Sequence, residues 1–177
     1  VATNVSLGDR KTLFMLGGVD NWLLPRIDNS LAPPANQNFA YRGVGTNMRG
    51  FLQNARNGSN FFLVNSEVRF PFVQVISRAP VSSEFWRNLA LVGFADVGTA
   101  WSGLDPFSLE NPFNVTTFED GPVKVTVVTN KNPIIAGYGL GARMRVFGYF
   151  LRIDRAWGLD DGQILRPVWY FSLNLDF

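Results

Sequence analysis

Trp169-Tyr170-Phe171-Ser172-Leu173-Asn174-Leu175-Asp176-Phe177 alternates large apolar with polar side chains and carries an aromatic residue at its last position. Side chains on a strand point to opposite faces in turn. Trp169, Phe171, Leu173, Leu175 and Phe177 therefore make one fully apolar face, and Tyr170, Ser172, Asn174 and Asp176 a polar one. A half-solvated strand of a soluble protein also alternates, but it rarely closes a chain on so apolar a face. A strand of an outer-membrane barrel needs this pattern, with one side in lipid and the other lining the lumen.

Composition agrees with that reading. Charged residues make up 17% of the 177, below the roughly 25% usual in soluble domains, while aromatics reach 14% and glycine occupies 17 positions. Mean hydropathy is +0.04, and no apolar run reaches the about 18 residues of a transmembrane helix. Barrel strands pass beneath such a scan because their alternation averages out. The net charge of +2 comes from scattered Lys and Arg, so no nucleic-acid partner is predicted. With no cysteine and no histidine, a disulfide framework, a thiolate metal site and Ser-His-Asp or Cys-His catalysis are excluded. No enzymatic activity, cofactor or metal is expected. Residues 1–10 carry no apolar core of a signal peptide, so a barrel protein with this sequence is expected to be mature or the end of a longer polypeptide.

The same alternation recurs upstream, and the charges fall on one side of it. In residues 62–72 the outward set is Phe62, Val64, Ser66, Val68, Phe70 and Phe72, which leaves Asn65, Glu67 and Arg69 inward. In 89–101 Leu89, Leu91, Gly93, Ala95, Val97, Thr99 and Trp101 face out, with Asp96 inward. In 136–146 Ala136, Tyr138, Leu140, Ala142, Met144 and Val146 lie outward, while Gly137, Gly139, Gly141, Arg143 and Arg145 lie inward. Two arginines and three glycines on one face are poor material for a soluble core. In 149–157 Arg152, Asp154 and Ala156 are inward and Tyr149, Leu151, Ile153 and Trp157 outward. Arg155 has lipid-facing parity, which is tolerable only near an interface, where a long side chain can snorkel. Residues 11–17 also read as a strand, of ambiguous parity.

About six strands follow, joined by connections that alternate in length as barrel loops do. Phe147-Gly148 is a tight turn, and Asp160-Asp161-Gly162 a short outer hairpin. Residues 102–132 and 19–59 are long extracellular segments, and 73–85 falls on the periplasmic side. Trp86, Trp101, Tyr149, Trp157 and Trp169 sit near strand ends, as interfacial girdles require. Six strands close no barrel, since about eight is the smallest number and an open edge in lipid strands backbone polar groups. Upstream strands of the same polypeptide are expected to supply the rest.

In the first long loop, Met48-Arg49-Gly50-Phe51 follows Gly43-Val44-Gly45. Then come Asn65-Ser66-Glu67-Val68-Arg69-Phe70-Pro71, Gly93-Phe94-Ala95-Asp96-Val97-Gly98 and Arg152-Ile153-Asp154-Arg155-Ala156-Trp157. This order, with the terminal Phe177, resembles the C-terminal barrel of the BamA and TamA superfamily, the bacterial surface antigen family, over nearly the whole chain. The resemblance implies an all-β, antiparallel transmembrane barrel of about sixteen strands in the outer membrane of a Gram-negative bacterium, of which residues 1–177 form the C-terminal part. It implies a non-enzymatic role in inserting or translocating other proteins. The implied partners are outer-membrane lipid, client or passenger proteins and accessory proteins.

In that family a Val-or-Ile-Arg-Gly-aromatic motif lies at the tip of a loop folded back into the lumen, where its arginine meets an inner-wall acid. The matching residues here are Met48, Arg49, Gly50 and Phe51, and the matching acid is Asp96, already inward by alternation. A partly dehydrated Arg needs a bidentate acceptor, so the expectation is a loop lock. Glu67, Arg69, Arg143, Arg145, Arg152 and Asp154 are expected to form a charge network on the inner wall. Two departures stand out: Met48 replaces Val or Ile, and Arg155 replaces a more usual aromatic.

The remaining patterns have plainer readings. Gly137-x-Gly139-x-Gly141 lacks the spacing and following helix of a phosphate loop and leaves room at the wall. Asp160-Asp161-Gly162 lacks the spaced ligands of a calcium loop. Glu119-Asp120 reads as solvated loop, and the Asn-x-Ser/Thr triplets at Asn4, Asn57 and Asn114 as coincidence. Two rival functions remain: a barrel serving only as membrane anchor or secretion pore for an attached N-terminal domain, and a diffusion porin or soluble β-protein.

Overall fold

The computed structural model describes residues 1–7, 10–34, 38–45, 47–76, 83–121, 123–146 and 148–175. Phe147, Asp176 and Phe177 lie outside the described residues, and only the backbone of Leu175 is described. The chain runs through β1 (Ala2–Val5), β2 (Lys11–Leu16), β3 (Phe39–Gly45), β4 (Arg56–Gly58) and β5 (Asn60–Phe70). Two single-turn helices follow, α1 (Phe72–Ile76) and α2 (Glu84–Arg87). Then come β6 (Ala90–Trp101), β7 (Val115–Asp120), β8 (Val123–Val128), β9 (Ile135–Val146), β10 (Tyr149–Asp160), β11 (Gln163–Ile164) and β12 (Val168–Leu175). The fold is all-β.

The main sheet is antiparallel in the order β1-β5-β6-β9-β10, with β11 and β12 both on the far edge of β10. It is open, with no closed barrel among the described residues. Its last hairpin turns through Asp161 (φ 49°) and Gly162 (φ 77°), the two positive-φ positions that a right-twisted two-residue turn requires and that Asp-Gly supplies.

The two faces of this sheet differ as the alternation predicts. One carries Phe62, Val68, Phe70, Leu91, Val97, Tyr138, Leu140, Trp169, Phe171 and Leu173, each between 37% and 72% exposed. No second layer covers it among the described residues. The opposite face carries Leu63, Phe94, Asp96, Gly137, Arg143, Asp154, Ala156, Tyr170 and Ser172, all buried. Solvated antiparallel sheets turn their polar side outward; this sheet does the reverse, and its apolar residues line the uncovered side.

What covers the polar face is the excursion between β1 and β5. Within it β2 pairs with β3 in parallel and with β4 antiparallel, forming a small sheet of its own. Residues 11–17 were expected to be the first wall strand, and this is corrected: the wall neighbour of β5 is β1, through Ala2–Leu63 to Val5–Asn60. The reason lies in burial. Leu13 and Leu16 are fully buried and the other β2 side chains half-buried, so no face of β2 is left bare. Strands covered on both faces lose clean alternation, hence the ambiguous parity. The excursion therefore spans residues 6–59 rather than 19–59. The segment 102–132 also has structure of its own, a 3-10 turn at Pro112–Asn114 and the β7–β8 hairpin.

Candidate functional site

The excursion meets the wall through two apolar clusters. Leu16, Met48 and Phe51 pack on Phe61, Leu63, Ala100 and Ile135; Val19 and Trp22 pack on Val92, Phe94, Ala156 and Tyr170. Met48 is fully buried, so an unbranched side chain fills the slot that the family resemblance assigns to Val or Ile. Gly18 bridges Met48, and the Gly18 N–H donates to the Phe51 carbonyl at 3.1 Å. Asp20 and Asn47 exchange two hydrogen bonds, at 3.1 and 2.6 Å. Segment 17–23 and the motif are thus one body.

Between the clusters lies Arg49, 2% exposed. Its Nε and Nη2 donate to the two carboxylate oxygens of Asp96, each at 2.6 Å, and its backbone N–H adds a third bond to Asp96 at 3.2 Å. Nη1 donates to Glu67 at 2.8 Å. The guanidinium lies over the Phe94 ring, 3.7 Å from its centroid, so a cation–π contact closes its flat face. Burial works against the charge of Arg49, but the hydrogen bonds and charge of Asp96, with Glu67, outweigh it and raise its pKa above the ordinary value.

From Glu67 the charges continue across the wall. Arg143 donates to Glu67 at 3.1 Å and to Asp154 at 2.5 Å. Arg152 binds Asp154 at 2.5 Å and reaches back to the Asn47 side chain at 3.2 Å. Asn65 ties Asp96 (2.8 Å) to the Asn47 carbonyl (2.7 Å). Four strands thus contribute to one cluster, and both ends of it touch the loop. Among the described residues Arg69 joins through Glu67, at 2.7 Å, with its own side chain 63% exposed. Arg145, on the same face of β9, is exposed rather than buried. Asp96 and Asp154 are fully buried. Such pairs add little net stability over apolar packing, yet losing one partner strands the other charge, so the cluster fixes position more than it adds stability.

Backbone contact explains the glycines. A Cβ on Gly137 would sit 1.8 Å from the Arg49 carbonyl oxygen, and one on Gly158 would sit 2.6 Å from that of Gly50. Gly50 has φ +96°, and a Cβ there would meet the Trp157 carbonyl at 2.6 Å. Only glycine allows this approach. Gly139 makes room for the Phe94 ring and Gly141 for the Asp154–Arg143 pair.

β12 takes part through Tyr170, whose hydroxyl accepts from the Gly50 N–H at 2.9 Å and donates to the Phe51 carbonyl at 2.7 Å. Its ring packs on Trp22, centroids 4.8 Å apart. The free edge of β12 meets the same segment: Trp22 bridges Ser172, the Leu23 N–H donates to the Phe171 carbonyl at 2.8 Å, and Asn21 pairs with Asn174. Trp169, Phe171 and Leu173 stand together on the opposite, bare face.

The family resemblance pairs Arg49 with Asp96, but the sequence reading overlooks Phe94 and Tyr170, although Phe94 shares the parity of Asp96 and Tyr170 points inward. It overlooks a second anchor too. Buried Arg56 donates to Asp160 at 2.6 Å and to the Asn132 carbonyl at 3.1 Å, joining the loop to the outer hairpin. Among the described residues no cluster of acidic side chains is placed to hold a metal ion. The chain matches no family model, no curated protein and no solved structure.

Proposed function

We propose that this chain is part of an outer-membrane β-barrel of the assembly or translocation type, which inserts or moves other proteins and is held at rest by a loop locked inside it. One observation carries the proposal: the sheet turns a bare apolar face outward while its own loop fills the charged face. A large exposed apolar patch marks a lipid or protein interface, and lipid suits a patch built of alternate residues on every strand. The motif resemblance points the same way, and so does the docking of Arg49 on Asp96. The remaining strands would come from the same polypeptide.

The working part is the seam. β10 holds one edge of β12 over its whole length, from Tyr149–Leu175 to Ala156–Val168, whereas among the described residues the other edge meets only the short contact of residues 21–23. An edge with free N–H and C=O groups templates an incoming strand. A client strand displacing Leu23 would add by backbone hydrogen bonds, with no chemical step.

A second reading, a membrane anchor or secretion pore for an attached domain, is favoured by the same contact, because a permanently capped edge templates nothing. One experiment separates them. Residues 1–177 contain no cysteine, and Leu23→Cys with Phe171→Cys in the full-length protein places a disulfide across the contact at two exposed positions. In vesicles the oxidised protein should fail to insert an unfolded barrel client, with recovery on reduction. Equal insertion in both redox states would remove the seam mechanism.

A further inference from the structure

We propose that Arg155, held between the indoles of Trp157 and Trp169, is a binding site for the phosphate headgroup of a membrane lipid on the outer face of β10 and β12. The proposal rests on the membrane reading of that face.

The guanidinium carbon lies 5.2 Å from the Trp157 ring and 5.4 Å from the Trp169 ring. Arg155 and Trp169 are direct register partners across β10 and β12. The Leu23 bond shows the Phe171 carbonyl pointing away from β10, so by the alternation of antiparallel ladders Arg155–Trp169 is a non-hydrogen-bonded pair, the kind with the closer side chains. Tyr138 stacks on Trp157 at 5.9 Å, and Phe171 on Trp169 at 6.3 Å, so aromatic rings frame the cation.

Among the described residues Arg155 has cation–π contacts alone, with neither a hydrogen bond nor an ion pair. The neighbouring outward side chains are Leu140, Ile153, Trp157, Trp169 and Phe171, none of them acidic. The nearby acids project the other way: Asp154 is taken by Arg143 and Arg152, and Asp160 by Arg56.

An unpaired cation facing lipid is costly at the midplane and nearly free at the interface, where headgroup phosphates lie. The indoles lie beside the guanidinium and take up none of its N–H donors, which match phosphate in a bidentate fork. The ligand class is therefore a phosphorylated lipid.

The test uses the full-length protein in micelles of a phosphate-free maltoside detergent doped with a diphosphoryl glycolipid or its dephosphorylated form. Native mass spectrometry counts retained glycolipid, and an alkyl-brominated maltoside reports tryptophan contact with hydrocarbon. The wild type should retain the phosphorylated form. Arg155→Gln should lower that retention about tenfold, the scale of one charge-assisted pair, with Arg155→Lys between them. Equal retention by Arg155→Gln, or by the dephosphorylated lipid, with tryptophans still quenched, overturns the headgroup site and leaves the membrane reading standing. Absence of quenching overturns both.

Discussion

Two of the loop's contacts with the wall differ greatly in strength. At residues 47–51 it is bound by three hydrogen bonds to Asp96, one to Glu67, a cation–π contact and two bonds to Tyr170, all at buried or part-buried positions. At the edge of β12 it is bound by one bridge, one backbone hydrogen bond and an exposed asparagine pair. The strong contact lies on the middle strands and the weak one at the seam. The proposed gate would need that ordering, because the part that would open is the part held least.

The largest effect should follow from breaking the strong side. Asp96→Ala strands a buried Arg49 and should cost about 3–5 kcal/mol, seen as a lower denaturation midpoint and as loss of protease protection across residues 19–59. Segment 17–23 is stapled to the motif by Gly18 and Asp20, so the Leu23 amide should exchange faster too. Full protection in Asp96→Ala would mean that apolar packing alone holds the loop.

Tyr170→Phe sharpens the comparison, since Tyr170 serves both contacts. It leaves the Gly50 N–H without its partner, at about 1–3 kcal/mol, and takes one of two donors from the Phe51 carbonyl, which keeps the Gly18 N–H, while the ring still packs on Trp22. Hydrogen exchange should rise at Gly50 more than at Leu23; the reverse would put the hydroxyl's role at the seam.

Leu23→Pro should have the smallest effect on stability, about 1 kcal/mol or less. It removes the donor to Phe171 at an exposed site and should leave protection of Arg49 unchanged while client insertion speeds up. The predicted asymmetry is that loss of the lock frees the edge, whereas freeing the edge spares the lock.

The sequence discloses those strands that have one bare face. β5, β6, β9, β10 and β12 alternate because one environment lies on each side, and their inward glycines and charges follow. β2 was misplaced because both its faces are covered, which erases the period. The inward parity of Asp96 was legible from alternation, while its pairing with Arg49 came from the family resemblance of the Met48–Phe51 motif. Arg56 was not, because the three-residue β4 has no period and Asp160 sits in an evident turn. Tyr170 was placed on the polar face, but its bonds to the Gly50 and Phe51 backbone depend on loop geometry that no local pattern carries.

The most direct test of the central claim, that hydrocarbon bathes one face of the sheet, is a spin-label scan of residues 168–174 through single cysteines in the full-length protein reconstituted in bilayers. Labels at 169, 171 and 173 should collide freely with oxygen and hardly at all with a water-soluble nickel chelate, while labels at 170 and 172 should be shielded from both. High nickel accessibility at 169, 171 and 173, or no alternation at all, would contradict the account.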